Sequence, residues 1–88
     1  MARNTWTRRD DFEAYLVKRG LMTEDEWLET RPTFSRATLI RKILNYGYLN
    51  GENNYEGVSR QARDIYRMYH RRSDEVLRFV WENGLWNI

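Results

Sequence analysis

Helix starts are spelled out along this chain at short intervals. A Ser or Thr just before a helix offers its side-chain oxygen to an orphan backbone N–H, and an acid three residues on reaches back to complete a capping box. Thr7 with Asp10 has that spacing, and so does Thr23 with Glu26. Met22 and Trp27 occupy the two hydrophobic-staple positions around the second box, as Phe34 and Leu39 do around a third start at Ser35. Ser59 opens a final helical region, and Ser73-Asp74-Glu75 inside it reads as a fresh start, so a break or kink is expected there. Stop signals alternate with these starts. Gly20 is placed for a left-handed cap, with Leu21 folding back on Leu16 in a Schellman ending. The residue before a proline avoids the helical region, so Arg31-Pro32 closes the second helix. Gly47 is expected to end the third helix and Asn83-Gly84 the last.

Helices this short are stable only when their apolar faces pack together. The pattern therefore predicts an all-α fold: one domain over residues 1–88, a compact bundle of four to five helices, the first spanning about residues 8–19. Phe12, Tyr15 and Leu16 share a face of that first helix. Leu39, Ile40, Ile43, Leu44 and Tyr46 supply the buried side of the third. In the final region Ala62, Ile65, Tyr66, Tyr69, Val76, Leu77 and Val80 fall on one side. Arg60, Arg63, Asp64, Arg67, Arg71, Asp74, Glu75, Arg78 and Glu82 fall on the other, where Arg60–Asp64, Arg71–Glu75, Asp74–Arg78 and Arg78–Glu82 are spaced to pair along the helix. Residues 47–58 are the non-helical stretch. Asn50-Gly51 suits a tight type I′ turn but Asn53 and Asn54 interrupt the far strand, which predicts an irregular loop or a minimal hairpin.

Nothing in the residue inventory supports an enzyme. The chain has no cysteine and a single histidine, His70, read as a flank position of the last helix; His–Cys and multi-His metal sites are excluded. Ser35, Ser59 and Ser73 are accounted for as caps. Asp10-Asp11-Glu13 and Glu24-Asp25-Glu26-Glu29 lie in first turns, where negative charge complements the helix dipole. Glu52 and Glu56 with Asn53 and Asn54 lack the alternation of a calcium loop, and the five glycines are isolated, so no phosphate loop exists. No cofactor and no metal are expected. No stretch approaches the roughly 20 apolar residues of a membrane span, and Met1-Ala2-Arg3-Asn4-Thr5-Trp6 lacks the apolar run of a secretory signal. The expected compartment is the cytoplasm, with no membrane partner.

What the composition does carry is a binding bias. Arg, Tyr and Trp make up 23 of the 88 residues, while Lys appears only at Lys18 and Lys42. These three residue types dominate interface hot spots, and Arg grips carboxylates and phosphates bidentately as Lys cannot. A GC-rich genome would also inflate Ala, yet there are four Ala against seven Asn. The formal charge is only +2, a mixed surface suited to partner choice by matched charges rather than to a dedicated nucleic-acid binder. The expectation is a small non-enzymatic protein that docks on a larger macromolecule, a protein above all. The expected anchors are Arg67, Arg71, Arg72, Tyr48, Tyr55 and Trp86, with a fold-back of Trp86 and Ile88 onto the end of the bundle as the other reading of that tail. A short, cysteine-free, well-capped helical domain is also the style of many phage and mobile-element inhibitors and adaptors. A homo-oligomeric structural subunit whose aromatic tail packs on a neighbour is a further reading.

Thr23-Glu24-Asp25-Glu26-Trp27-Leu28 followed by Phe34-Ser35-Arg36-Ala37-Thr38-Leu39 resembles the helix-turn-helix of winged-helix repressors of the gluconate-operon type. Gly47-Tyr48-Leu49 resembles the lead into their wing. The resemblance covers under a third of the chain and implies a second helix in the DNA major groove, with Arg36, Thr38 and Arg41 facing DNA. The chain departs from the family in a long, Pro32-containing connection, in apolar Ile40 and Leu44 where polar groups face the groove, and in Lys42 where a small residue packs.

Overall fold

The computed structural model describes residues 5–50 and 58–87. Five α-helices and one 3₁₀ turn are present among them: α1 (Arg8–Lys18), α2 (Glu24–Glu29), α3 (Arg36–Asn50), α4 (Arg60–Tyr69), α5 (Asp74–Glu82) and the turn Leu85–Asn87. Both capping boxes form. Thr7 Oγ1 accepts from Asp10 N at 3.1 Å while Asp10 accepts from Thr7 N at 2.9 Å. The Thr23–Glu26 pair repeats this at 3.0 and 2.8 Å. Gly20 takes a φ of 79°, and Leu21 N donates to Leu16 O at 2.8 Å while Gly20 N donates to Val17 O at 3.0 Å, the two bonds of a Schellman ending. The final region is two helices: Ser73 caps α5 through Val76 N, and residues 70–73 turn the chain between α4 and α5.

α1 is the central element, packing against α2, α3, α4 and the C-terminal turn. Its residues Asp11 to Leu16 are buried without interruption, so the helix has no solvent face along that stretch. Phe12, Leu16, Trp27, Leu39, Tyr46, Ile65 and Leu77 fill the interior around it. Trp6, Trp27 and Phe34 form a triangle of rings with centroids 5.0–5.2 Å apart, closing the side where α2 meets α3.

Burying α1 all round also buries its carboxylates, and buried charge must be paired. Asp11 is fully enclosed, with Lys42 Nζ 3.0 Å from Oδ1 and Gln61 Nε2 donating to Oδ2 at 2.7 Å. Glu13 takes Arg31 at 2.5 Å, Trp81 Nε1 at 2.8 Å and Arg9 at 3.0 Å. Arg31 also reaches Asp10 at 2.6 Å, lies over the Trp27 ring at 4.4 Å, and donates to Trp27 O at 3.1 Å. Burial alone would raise the pKa of Glu13; the bonds from Arg31, Trp81 and Arg9 outweigh it and hold the carboxyl below its ordinary value. These acids are internal tethers, beyond the helix-start role assigned from sequence.

The same demand rotates the buried face of α3: Leu39, Ile43 and Tyr46 stay inside as expected. Leu39, Lys42, Tyr46 and Leu49 point inward, because Asp11 requires the Lys42 cation there. Ile40 and Leu44, expected in the core, are therefore exposed, and so is Tyr48. The helix also runs through Gly47 to Asn50, anchored inward by Tyr46 and Leu49, so residues 47–50, expected to be non-helical, are helical. The rest of the loop or minimal hairpin expected over residues 47–58, from Gly51 to Gly57, lies outside the described residues. In α5 the break at Ser73 re-phases the helix, which leaves Val76 exposed while Leu77 and Val80 are buried. The break also separates Arg71 from Glu75, one of the pairs expected along one continuous helix. Asp64 faces Arg67 at 3.9 Å and Asp74 reaches Arg19 at 2.7 Å; the four expected pairs do not form.

Candidate docking surface

Three hollows lie side by side along α4. The first, of about 370 Å³, is lined by Arg8, Asp64, Arg67 and Met68. The second, of about 240 Å³, is lined by Leu49, Arg63, Tyr66, Arg67 and His70. Tyr66 and His70 continue into the third, of about 340 Å³, with Tyr15, Lys18, Arg19, Tyr46 and Asn50. Arg67 thus stands on the ridge between the first two, and the Tyr66–His70 pair on the ridge between the second and third. Across all three the fixed charges are five cations, Arg8, Lys18, Arg19, Arg63 and Arg67, against one acid, Asp64.

Local structure fixes most of this surface. Tyr66 OH donates to Asn50 Oδ1 at 2.9 Å, and its ring stacks on His70 at 4.5 Å with a 13° tilt. His70, the C-cap of α4, holds Nδ1 2.9 Å from Tyr66 O. Arg63 is pinned to Val58 O by Nε at 3.2 Å and a terminal nitrogen at 3.1 Å. Arg19 binds Tyr15 OH at 3.3 Å, Arg72 O at 2.9 Å and Asp74 at 2.7 Å, clamping the end of α1 to the α4–α5 turn. Burial opposes its charge, but the bonds to Tyr15 and Asp74 prevail and its pKa rises. Arg8 donates through Nε to Trp86 O and approaches the Met68 sulfur at 3.9 Å.

Arg67 is the contrast. Its side chain is 77% exposed and its one ion pair among the described residues, with Asp64, is stretched to 3.9 Å, so a partner's carboxylate would displace little of it to bind. Arg71 and Arg72 follow it, exposed, in the turn after α4. The last turns of α1, α3 and α4 all contribute to the third hollow. Helix C-termini carry partial negative charge, which Lys18, Arg19 and Arg67 offset. The arrangement offers planar cation and ring contacts on a largely pre-formed support. Among the described residues no group of three His, Asp or Glu side chains is placed to hold a metal, and no helix is long and apolar enough to cross a membrane.

Of the residues singled out from sequence, Arg67 lines the first two hollows, while Arg71 and Arg72 lie exposed in the turn beyond α4 and line none of the three. Tyr48 lies apart, on the outward side of α3 with Ile40 and Leu44. Tyr55 lies outside the described residues. Trp86 is half-buried, stacked 6.2 Å from Phe12 with the Arg9 guanidinium 5.4 Å over its ring, so the tail folds back onto α1. Arg36 is tied to Glu24 at 2.6 Å and to Asp25, and these bonds raise its pKa. Thr38 Oγ1 is 2.9 Å from Ser35 Oγ, and Arg41 is exposed without an ion pair among the described residues. Sequence reasoning placed Arg63 on the outward face beside Arg67 but missed Arg8, Lys18, Arg19, Tyr66 and His70 as surface members. The stripe Arg63, Tyr66, Arg67, His70, at i, i+3, i+4 and i+7, carried that information. Comparisons with family models, with curated proteins and with solved structures find no match to this chain.

Proposed function

We propose that this chain is a non-enzymatic helical domain that docks on a larger protein through the basic, aromatic face of α4, acting in the cytoplasm as an inhibitor or adaptor of the phage and mobile-element style. The observation that carries the reading is Arg67, exposed between two hollows and flanked by the fixed Tyr66–His70 stack and by Lys18, Arg63 and Arg71. The chemistry of that face selects an acidic, ridged partner surface whose carboxylates meet Arg67 and Arg71 and whose side chains enter the hollows. A standard interface of roughly 800 Å² on this side would cover about an eighth of the 6107 Å² surface.

The experiment is affinity capture from nuclease-treated lysate of the source organism, with wild type beside an Arg67→Glu/Arg71→Glu double variant. One protein retained by wild type and lost by the variant, at equal helicity and melting temperature, supports the reading. Equal retention by both refutes the α4 face. Loss of all partners on nuclease treatment would instead move the function to the DNA-binding alternative at Arg36, Thr38 and Arg41, with binding that falls steeply as salt rises.

A further inference from the structure

We propose that copies of this chain associate head to tail, the outward face of α3 on one copy seating against the outward face of α5 on the next. The α3 face is apolar where solvent should favour polar groups: Ile40, Leu44 and Tyr48, at i, i+4 and i+8, are 41%, 53% and 49% exposed. A helix apolar on both sides is one that has something packed on both. Gly47 lies on this same side of the helix. It has no positive φ, and a Cβ built there would meet nothing within 4 Å, so the fold itself does not require a glycine that costs about 1 kcal/mol in a helix. Close approach of a neighbouring backbone does require one.

The occupant follows from charge. α3 carries Arg36, Arg41 and Lys42 and no acid; Lys42 is spent on Asp11 and Arg36 on Glu24 and Asp25, which leaves Arg41 as its exposed cation. α5 carries an excess of the opposite sign, Asp74, Glu75 and Glu82 against Arg78. Phe79 is 60% exposed, with Val76 beside it, and Glu75 and Glu82 stand four residues before and three after it, exposed and without ion pairs among the described residues. A ring between two carboxylates on one face matches an apolar stripe edged by an arginine on the other. The two faces differ, so the contact is heterologous: it repeats from copy to copy as a ring or a filament according to whether the rotation closes. Neither face includes Arg67 or the hollows along α4, so self-association and partner docking fail independently.

The test uses Leu44→Asp and Phe79→Asp, two exposed positions. Wild type should gain mass in light scattering over about a hundredfold rise in concentration, and each variant alone should remain a monomer with unchanged helicity. An equimolar mixture of the two variants restores one intact pair of faces and should give a dimer and nothing larger. Arg41→Glu should weaken association of the wild-type faces, and Glu75→Arg/Glu82→Arg in the other copy should recover it. A wild type that stays monomeric throughout overturns the proposal. So does a Phe79→Asp variant that associates like wild type, which would pair α3 with α3, or a variant mixture that forms no dimer.

Discussion

Replacing Lys42 by methionine preserves the length of the side chain and removes its charge. Asp11, fully buried, then loses the cation 3.0 Å from Oδ1 and keeps two neutral donors, Gln61 at 2.7 Å and Tyr46 at 3.4 Å. Removing one partner of a buried ion pair typically costs about 3–5 kcal/mol, because the surviving charge is left in a poor solvent. The two remaining donors set the expected loss near the lower end, about 3 kcal/mol. The Lys42 Nζ contact 4.5 Å over the Trp6 ring adds up to about 1 kcal/mol. A domain of 88 residues holds only about 4–13 kcal/mol in total, and the melting temperature should fall by about 12–32 °C. Urea denaturation followed by far-UV circular dichroism at neutral pH reads the change as a shift in midpoint at constant slope. The companion Asp11→Asn/Lys42→Met removes both charges and should be more stable than Lys42→Met alone, since a neutral amide is far cheaper to bury than an orphaned carboxylate. A Lys42→Met loss below about 1 kcal/mol, or a double variant that shows the sum of the two single losses, would refute the claim that this pair is coupled in the core.

The remaining predictions concern acid, caps and the tail. Glu13 titrates below its ordinary value near pH 4.5 when folded, so below that pH the unfolded chain binds a proton that the folded chain refuses. Stability contributed by Glu13 is present above that pH and is lost as pH falls through the folded value, and Glu13→Gln should flatten this acid limb in urea titrations run at successive pH values. Thr23→Ala removes the side-chain acceptor for Glu26 N and should cost about 1 kcal/mol by the same assay. Trp86→Ala, which strips the Phe12 stack and the Arg9 contact, should lower stability by about 2 kcal/mol; an unchanged melting temperature would mean the tail is not packed on α1 in solution.

Local rules carried most of the fold. Thr7, Thr23, Ser59 and Ser73 cap the helices they were read to cap, Gly20 and Leu21 make the Schellman ending, and Ser73 does divide the final region. Each of these signals is complete within six residues of sequence. What was hidden depends on contacts between distant residues. Asp11 meets Lys42 31 positions away and Gln61 50 positions away, so nothing local marks that pair as internal. Hydropathy along α3 favoured Ile40 and Leu44 for the core because it cannot weigh a buried carboxylate that demands a cation in their stead. The docking surface was half legible for a related reason. Charge singled out Arg67, which lines two of the hollows, whereas Tyr66, read as core, both packs against the core and stacks on His70, a pairing that forms only where α4 ends against α1 and α3.

The most direct test of the docking claim is to titrate the captured partner into isotope-labelled chain and map the amide shifts. Perturbations concentrated at Lys18, Arg63, Tyr66, Arg67, His70 and Arg71 are the predicted result. Perturbations centred on Arg36, Thr38 and Arg41, with the α4 amides unmoved, would contradict it.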